Sequence, residues 1–129
     1  MDINNRSALS GRQILVVDDL LENRWLMTKF LELAGASVLT AKDGNEAIEM
    51  VSSKQIEVVL MDLEMPNLNG FEATLRIRDL GFTIPIVALS SHTDEENIEK
   101  CLSSGFTGYL SKPVPRLELV EKLVSIINR

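Results

Sequence analysis

Five short apolar runs, each followed by an amphipathic stretch, constrain this chain more than any other feature. The runs are Ile14–Val17, Ser37–Thr40, Val58–Met61, Ile84–Leu89 and Tyr109–Leu110. They are brief and rich in β-branched residues, which reads as strands. The stretches between them carry helical spacing. Leu26, Phe30 and Leu33 recur in the first, and Ile98, Cys101 and Leu102 share a face in the fourth. Leu119, Val120, Leu123, Ile126 and Ile127 form a stripe in the last. Helix starts are marked by Asp43-Gly-Asn-Glu46, Asn69-Gly-Phe-Glu72 and Thr93-Asp-Glu-Glu96, each with an acceptor followed three residues later by an acid. Gly35 and Gly105 stand where helices should stop. Strict alternation of strand and helix implies α/β architecture: five βα units around a doubly wound parallel sheet.

Strand composition orders that sheet. The first, third and fourth runs are almost wholly apolar, as strands covered on both faces must be. The second ("SVLT") and fifth ("TGYLS") carry polar residues and suit the edges. Right-handed crossovers then favour the order 2-1-3-4-5, the one known from flavodoxin-like sheets. A chain of 129 residues suits one domain and buries roughly two thirds of the surface its unfolded form exposes. Residues 1–11, "MDINNRSALSG", read as a polar leader, and 12–129 as the domain.

The composition excludes some functions. A net charge of −6 argues against non-specific grip on nucleic acid or on an acidic membrane. One cysteine, Cys101, allows no internal disulfide and reads as a small core hydrophobe. Neither a basic-then-apolar leader nor an apolar run near 18 residues is present, so the chain reads as cytoplasmic.

In such sheets ligands gather beyond the carboxyl ends of the strands, where the order reverses. Strand one ends in Asp18-Asp19, strand three in Asp62, strand four in Ser90, and strand five in Lys112 before Pro113. Three carboxylates, a hydroxyl and an ammonium therefore meet on one rim. Like charges that close raise one another's pKa unless a cation intervenes. Lys112 supplies one positive charge. The remaining excess, with oxygen ligands only, suits a hard divalent ion such as Mg²⁺.

With these marks in place the chain resembles a response-regulator receiver domain of two-component phosphorelays. The resemblance covers residues 12–128 and rests on Asp18-Asp19, "MDLEMPNLNGFEA" around Asp62, Ser90, and Tyr109-Leu-Ser-Lys112-Pro113. The wording around Asp62 is similar to receivers attached to hybrid histidine kinases. The resemblance implies that Asp62 is the phosphoacceptor, attacking a partner's phosphohistidine. Asp19 would bind Mg²⁺ directly and Asp18 mainly through water, with Asp62 and the backbone carbonyl of Glu64 as further ligands. Lys112 and Ser90 would each hold a phosphoryl oxygen, and Lys112–Pro113 would be cis. Tyr109 would move inward as Ser90 closes on the phosphate, changing the face formed by the fourth helix, fifth strand and fifth helix. The implied partners are a histidine kinase or histidine phosphotransfer protein and a downstream effector. The domain would not be an enzyme in the ordinary sense but would assist its own phosphorylation and dephosphorylation.

Some positions depart from the common pattern. Leu20 follows the acid pair where many relatives carry a polar residue. Phe106 and Gly108 replace commoner small and acidic residues before strand five. Glu64 and His92 occupy positions that tune phosphate lifetime, and their bulk suggests slow loss of the phosphoryl group. Trp25 reads as partly buried packing. The chain ends soon after its last helix, consistent with a stand-alone regulator or a receiver from a larger kinase.

Other classes stay open at this point. A haloacid-dehalogenase-like phosphatase would want a second Asp where Glu64 stands. A flavodoxin-like cofactor binder would want a Ser/Thr/Gly loop in place of "DDLLEN". An unphosphorylated pseudo-receiver adaptor would lack one of the acids or the lysine, and this chain has them all.

Overall fold

The computed structural model describes residues 7–92 and 94–128. In chain order the elements are β1 (Gln13–Val17), α1 (Leu21–Leu33), β2 (Ser37–Ala41), α2 (Gly44–Ser53) and β3 (Val58–Asp62). They continue as α3 (Gly70–Asp79), β4 (Ile86–Ser90), α4 (Glu95–Ser103), β5 (Gly108–Ser111) and α5 (Arg116–Ile127). All strand pairings among the described residues are parallel, and the order is β2-β1-β3-β4-β5, the one expected, with the two polar runs at the edges. Every residue of β3 and β4 is buried, whereas β2 and β5 at the edges are half covered.

Successive strand residues point to opposite faces, so one strand feeds two cores. Ile14, Val16, Val58, Leu60, Val87 and Leu89 pack with α1 and α5. Leu15, Val17, Val59, Met61, Ile86 and Ala88 pack with α2, α3 and α4. This double burial explains why the inner strands read as unbroken apolar runs rather than as alternating ones.

The α1 stripe is displaced from its expected position. Met27 and Leu31 are buried, followed by Ala34 at the C-cap, while Leu26 is 41% and Leu33 48% exposed. Phe30 is partly covered. Both sets have helical spacing, and the sheet takes the one turned by a single residue, about 100° round the helix. Trp25 lies on the outer face at 60% exposure, so it is a surface residue rather than packing. In α4, Cys101 is buried as expected and Leu102 is exposed. On α5 the stripe Leu119, Val120, Leu123 and Ile126 is buried, with Ile127 partly so.

The caps follow local chemistry. Asn69 and Glu72 form a complete reciprocal box at the start of α3. Asp43 accepts from Glu46 N at 2.8 Å. Thr93 lies outside the described residues, and the acceptor at the start of α4 is Asp94, bonded by Asn97 N at 2.8 Å. Gly35 and Gly105 take φ of 94° and 101° just past their helices, the left-handed conformation glycine adopts without steric cost. Within the polar leader, Leu9 is 1% exposed and belongs to the α1/α5 core. Its amide donates to Ala34 O at 2.8 Å, fastening the leader to the end of α1.

Candidate functional site

Register brings the strand ends level. Val17 pairs with Met61, so the next residues, Asp18 and Asp62, emerge side by side. Asp62 pairs with Leu89 and Ser90 with Ser111, which places Ser90 and Lys112 one step further along the same rim. The order reversal lies between β1 and β3, where the first helix goes to one face and the next to the other.

The carboxylates of Asp18, Asp19 and Asp62 each offer an oxygen within 4.8 Å of the others. Asp18 and Asp62 are buried, and Asp19 is partly so. Lys112 Nζ donates to Asp62 Oδ1 at 2.7 Å and stands 3.9 Å from Asp18 Oδ2. Burial pushes the Asp62 carboxyl up to about 6; the Lys112 hydrogen bond works against that rise, and the Asp18 charge adds to it. Burial pulls the Lys112 ammonium down, but its hydrogen bond to Asp62 and the surrounding acids more than offset this and hold it above its ordinary value.

One oxygen of Asp18 is fully used. Oδ1 accepts from Leu20 N at 2.9 Å, the local turn that starts α1. Asp18 Oδ2 is buried and has no hydrogen-bond partner. A buried anionic oxygen without a donor is costly, and here it faces two other carboxylates. An oxygen-only donor set with an orphaned anionic atom fits a hard divalent cation, Mg²⁺ among them.

Glu64 sits differently from the other acids. Its backbone N–H donates to Asp62 Oδ1 at 3.2 Å. Its carboxylate turns away from the acid cluster: Oε1 accepts from Ser91 N at 3.2 Å and lies 3.3 Å from Ser90 Oγ. Burial pushes this carboxyl up, yet the Ser91 N–H, Asp62 and the Lys112 charge outweigh it and hold it below the usual range. Ser90 is buried and its Oγ organises the loop after β4. It accepts from His92 N at 2.9 Å and lies 3.0 Å from His92 O. His92 Nε2 is 4.0 Å from Glu64 Oε1, so the imidazole is a neighbour of the site and no member of the acid cluster.

Gly70 makes room for the acceptor strand. A Cβ there would stand 2.4 Å from Asp62 O and 3.0 Å from Leu63 Cα, closer than atoms pack. The Lys112–Pro113 peptide is cis, as the resemblance implied. Tyr109 is partly buried against the core that holds Cys101 and Phe106. Three contributors escaped the sequence reading. Arg24 donates to Asp18 O at 2.7 Å, Asn97 Nδ2 donates to both Ser90 Oγ and His92 O, and Ser91 offers its amide to Glu64. A cleft of about 250 Å³ opens beside the cluster, lined in part by Asp18, Met27, Leu89, Lys112 and Pro113.

Residues 14–124 match the family described as the response regulator receiver domain. The chain belongs to that family. The receiver domain is 39% identical over 113 residues to the sensor histidine kinase RcsC of Escherichia coli K12, covering 88% of this chain and 12% of that protein. It is 40% identical over 114 residues to a 14.6 kDa protein of Leptolyngbya boryana, covering 87% of each. Among solved structures, the receiver domain of sensor histidine kinase PA1611 from Pseudomonas aeruginosa PAO1 superposes with a TM-score of 0.85 at 33% identity. That match covers 93% of this chain and all of that one. The PA1611 structure has a magnesium ion coordinated in its active-site cleft. The present chain thus spans about 12% of the length of the RcsC kinase it matches. Receiver domains act in phosphorelay signal transduction, and this fold is a signalling fold rather than that of a classical enzyme. Among the described residues no helix is long and apolar enough to cross a membrane.

Proposed function

We propose that Asp62 is the phosphoacceptor of this receiver and that Asp18, Asp19 and Asp62 hold Mg²⁺, with the backbone carbonyl of Glu64 as a further ligand. The observation that carries this reading is the pairing of Lys112 Nζ with Asp62 Oδ1 at 2.7 Å beside the three-acid cluster. At pH 7 a carboxyl with a pKa near 6 is about nine-tenths ionised, so Asp62 is ready to attack. Its oxygen forms the new P–O bond, the P–N bond of the partner's phosphohistidine breaks, and the bonding pair returns to the imidazole. Lys112 already holds one oxygen of Asp62 and can follow the transferred group by pairing with a phosphoryl oxygen. Ser90 supplies a hydroxyl to a second oxygen. When bound, the cation neutralises charge on the carboxylates and on the phosphoryl oxygens. Positioning and charge neutralisation are most of what phosphoryl transfer asks of a protein.

The phosphodonor is a histidine kinase or a histidine phosphotransfer protein, and the setting is cytoplasmic, where such kinases find ATP. The output face is α4, β5 and α5. Its link to the site is short: Ser90 pairs directly with Ser111 of β5, and Tyr109 lies two residues before Ser111. Movement of Ser90 toward a phosphoryl oxygen biases a two-state equilibrium at that face, with Tyr109 following inward. Glu64 and His92 lie together beside the loop after β4, and their bulk next to the acceptor supports slow loss of the phosphoryl group.

The test is incubation with Mg²⁺ and acetyl phosphate, followed by intact mass. One added phosphoryl group, absent in Asp62→Asn, supports the assignment. No addition to the wild-type chain would favour an adaptor that binds partners without phosphorylation.

A further inference from the structure

The Glu64 carboxylate takes no part in the transfer step above, yet it is held against the loop after β4. A single atom, Oε1, meets both the Ser91 N–H at 3.2 Å and the Ser90 hydroxyl at 3.3 Å. The Ser91 N–H is the fixed donor to Oε1, and the Ser90 hydroxyl, whose one proton also has His92 O within 3.0 Å, is the exchangeable one; a phosphoryl oxygen on this rim would seek the same pair. The same residue is tied to the acceptor at its other end, because its backbone N–H donates to Asp62 Oδ1 at 3.2 Å. Glu64 therefore bridges the phosphorylation position and the loop that reports it. The loop itself is held by a web centred on Ser90 Oγ, with His92 N and Asn97 Nδ2 both donating to it.

We propose that the Glu64 side chain is an internal stand-in for the phosphoryl group, an autoinhibitory latch that occupies Ser90 and Ser91 in the unphosphorylated chain. This deepens the phosphoacceptor reading and rests on it for the switching step. A phosphoryl group on Asp62 must take Ser90 Oγ from Glu64, so the carboxylate swings out as the phosphoryl oxygen comes in. The latch is built from non-covalent contacts alone, and its release involves exchange of one anionic acceptor for another. Because Glu64 is partly exposed, its carboxylate has water to return to on release. The contacts with Ser90 and Ser91 lie beside the acceptor rather than on it, so the latch leaves Asp62 open and slows its phosphorylation only by opposing the switched state that the phosphoryl group requires.

The experiment compares wild type, Glu64→Gln and Glu64→Ala. Amide hydrogen exchange at Ser91 in the unphosphorylated, Mg²⁺-free chain reads the latch directly. A hydrogen bond to a charged acceptor corresponds to about a tenfold effect, so Ser91 exchanges about tenfold faster in Glu64→Ala. Glu64→Gln keeps a neutral acceptor oxygen and falls between the two. With Mg²⁺ and acetyl phosphate, uptake measured by intact mass is several-fold faster in Glu64→Ala, and Ser91 exchange becomes equally slow in all three phosphorylated chains. Unchanged Ser91 exchange in Glu64→Ala overturns the latch, as does equal acceleration of uptake in Gln and Ala variants, which would reduce the effect to lost charge repulsion. Absence of phosphoryl uptake in every chain defeats the phosphoacceptor reading instead, and the exchange measurement on the unphosphorylated chain separates the two failures.

Discussion

The acid cluster makes the metal-free domain lose stability as pH rises, and Asp62 sets the size of that loss. Its carboxyl moves from an ordinary 3.8 to about 6 on folding, chiefly through burial. A group whose native pKa is raised binds its proton more tightly folded than unfolded. The stability this confers is present below pH 3.8 and is lost as pH climbs through 6. The full span corresponds to about 3 kcal/mol, of which about 2 kcal/mol falls between pH 4.5 and 7.5. Asp62→Asn removes the titration while keeping size and shape. Wild type should therefore fall by about 2 kcal/mol relative to Asp62→Asn over that interval, about 8 °C in melting temperature for a domain this size. The assay is thermal or urea unfolding of both proteins in chelator across pH 4.5–7.5, taken as a difference so that carboxylates remote from Asp62 cancel. Mg²⁺ at a hundred times its dissociation constant restores about 2.7 kcal/mol to the wild type at neutral pH. A difference that is flat with pH, or that grows in favour of wild type as pH rises, would refute the argument that burial of Asp62 is incompletely compensated by Lys112.

Four further outcomes follow from individual contacts. Lys112→Met leaves Asp62 and Asp18 without their cation; it should cost about 3 kcal/mol in the metal-free chain at pH 8, visible in urea midpoints, and slow phosphoryl uptake about a hundredfold. Gly70→Ala drives a methyl into the Asp62 carbonyl and should destabilise by about 2–3 kcal/mol, with calorimetry as the check. Leu9→Ala, though it lies in the polar leader, should cost about 2–4 kcal/mol of unfolding free energy because it opens a hole in the α1/α5 core. Asp43→Ala removes the side-chain acceptor at the start of α2 and should cost about 1 kcal/mol in the same measurement.

Much of the fold was legible because it follows from patterns that average over many residues. Two-sided burial makes β3 and β4 apolar up to their last residues, Asp62 and Ser90, and that pattern separates these inner strands from the edges. Where only one residue decides, sequence pattern fails. The α1 stripe had two registers of equal spacing, and the buried choice, Met27 and Leu31, depends on the angle at which the helix leaves Asp18 and Asp19. The exit is held locally, by Leu20 N on Asp18 Oδ1 and by Arg24 on the Asp18 carbonyl, contacts that carry no hydrophobic period. Leu9 was unreadable for a similar reason: a lone leucine among polar residues carries no period, and only Ala34 O tells where it docks.

The site divides along the same line. Residues at or just past the strand ends, Asp18, Asp19, Asp62, Ser90 and Lys112, lie on one rim because parallel register brings the strand ends level. Side-chain contacts made by the connecting loops carry no such signal: nothing in the sequence says that the Glu64 carboxylate turns to Ser90 and Ser91. Loop geometry sets which way such a side chain turns, and loop geometry is not periodic. The consequence for function is specific. In this chain the acids are set on one rim by strand register, while the proposed latch rests on the loop contacts of Glu64, Ser90 and Ser91. Those contacts are local to the loops and weakly constrained by the sheet, so substitutions there can retune the switch without moving the acids.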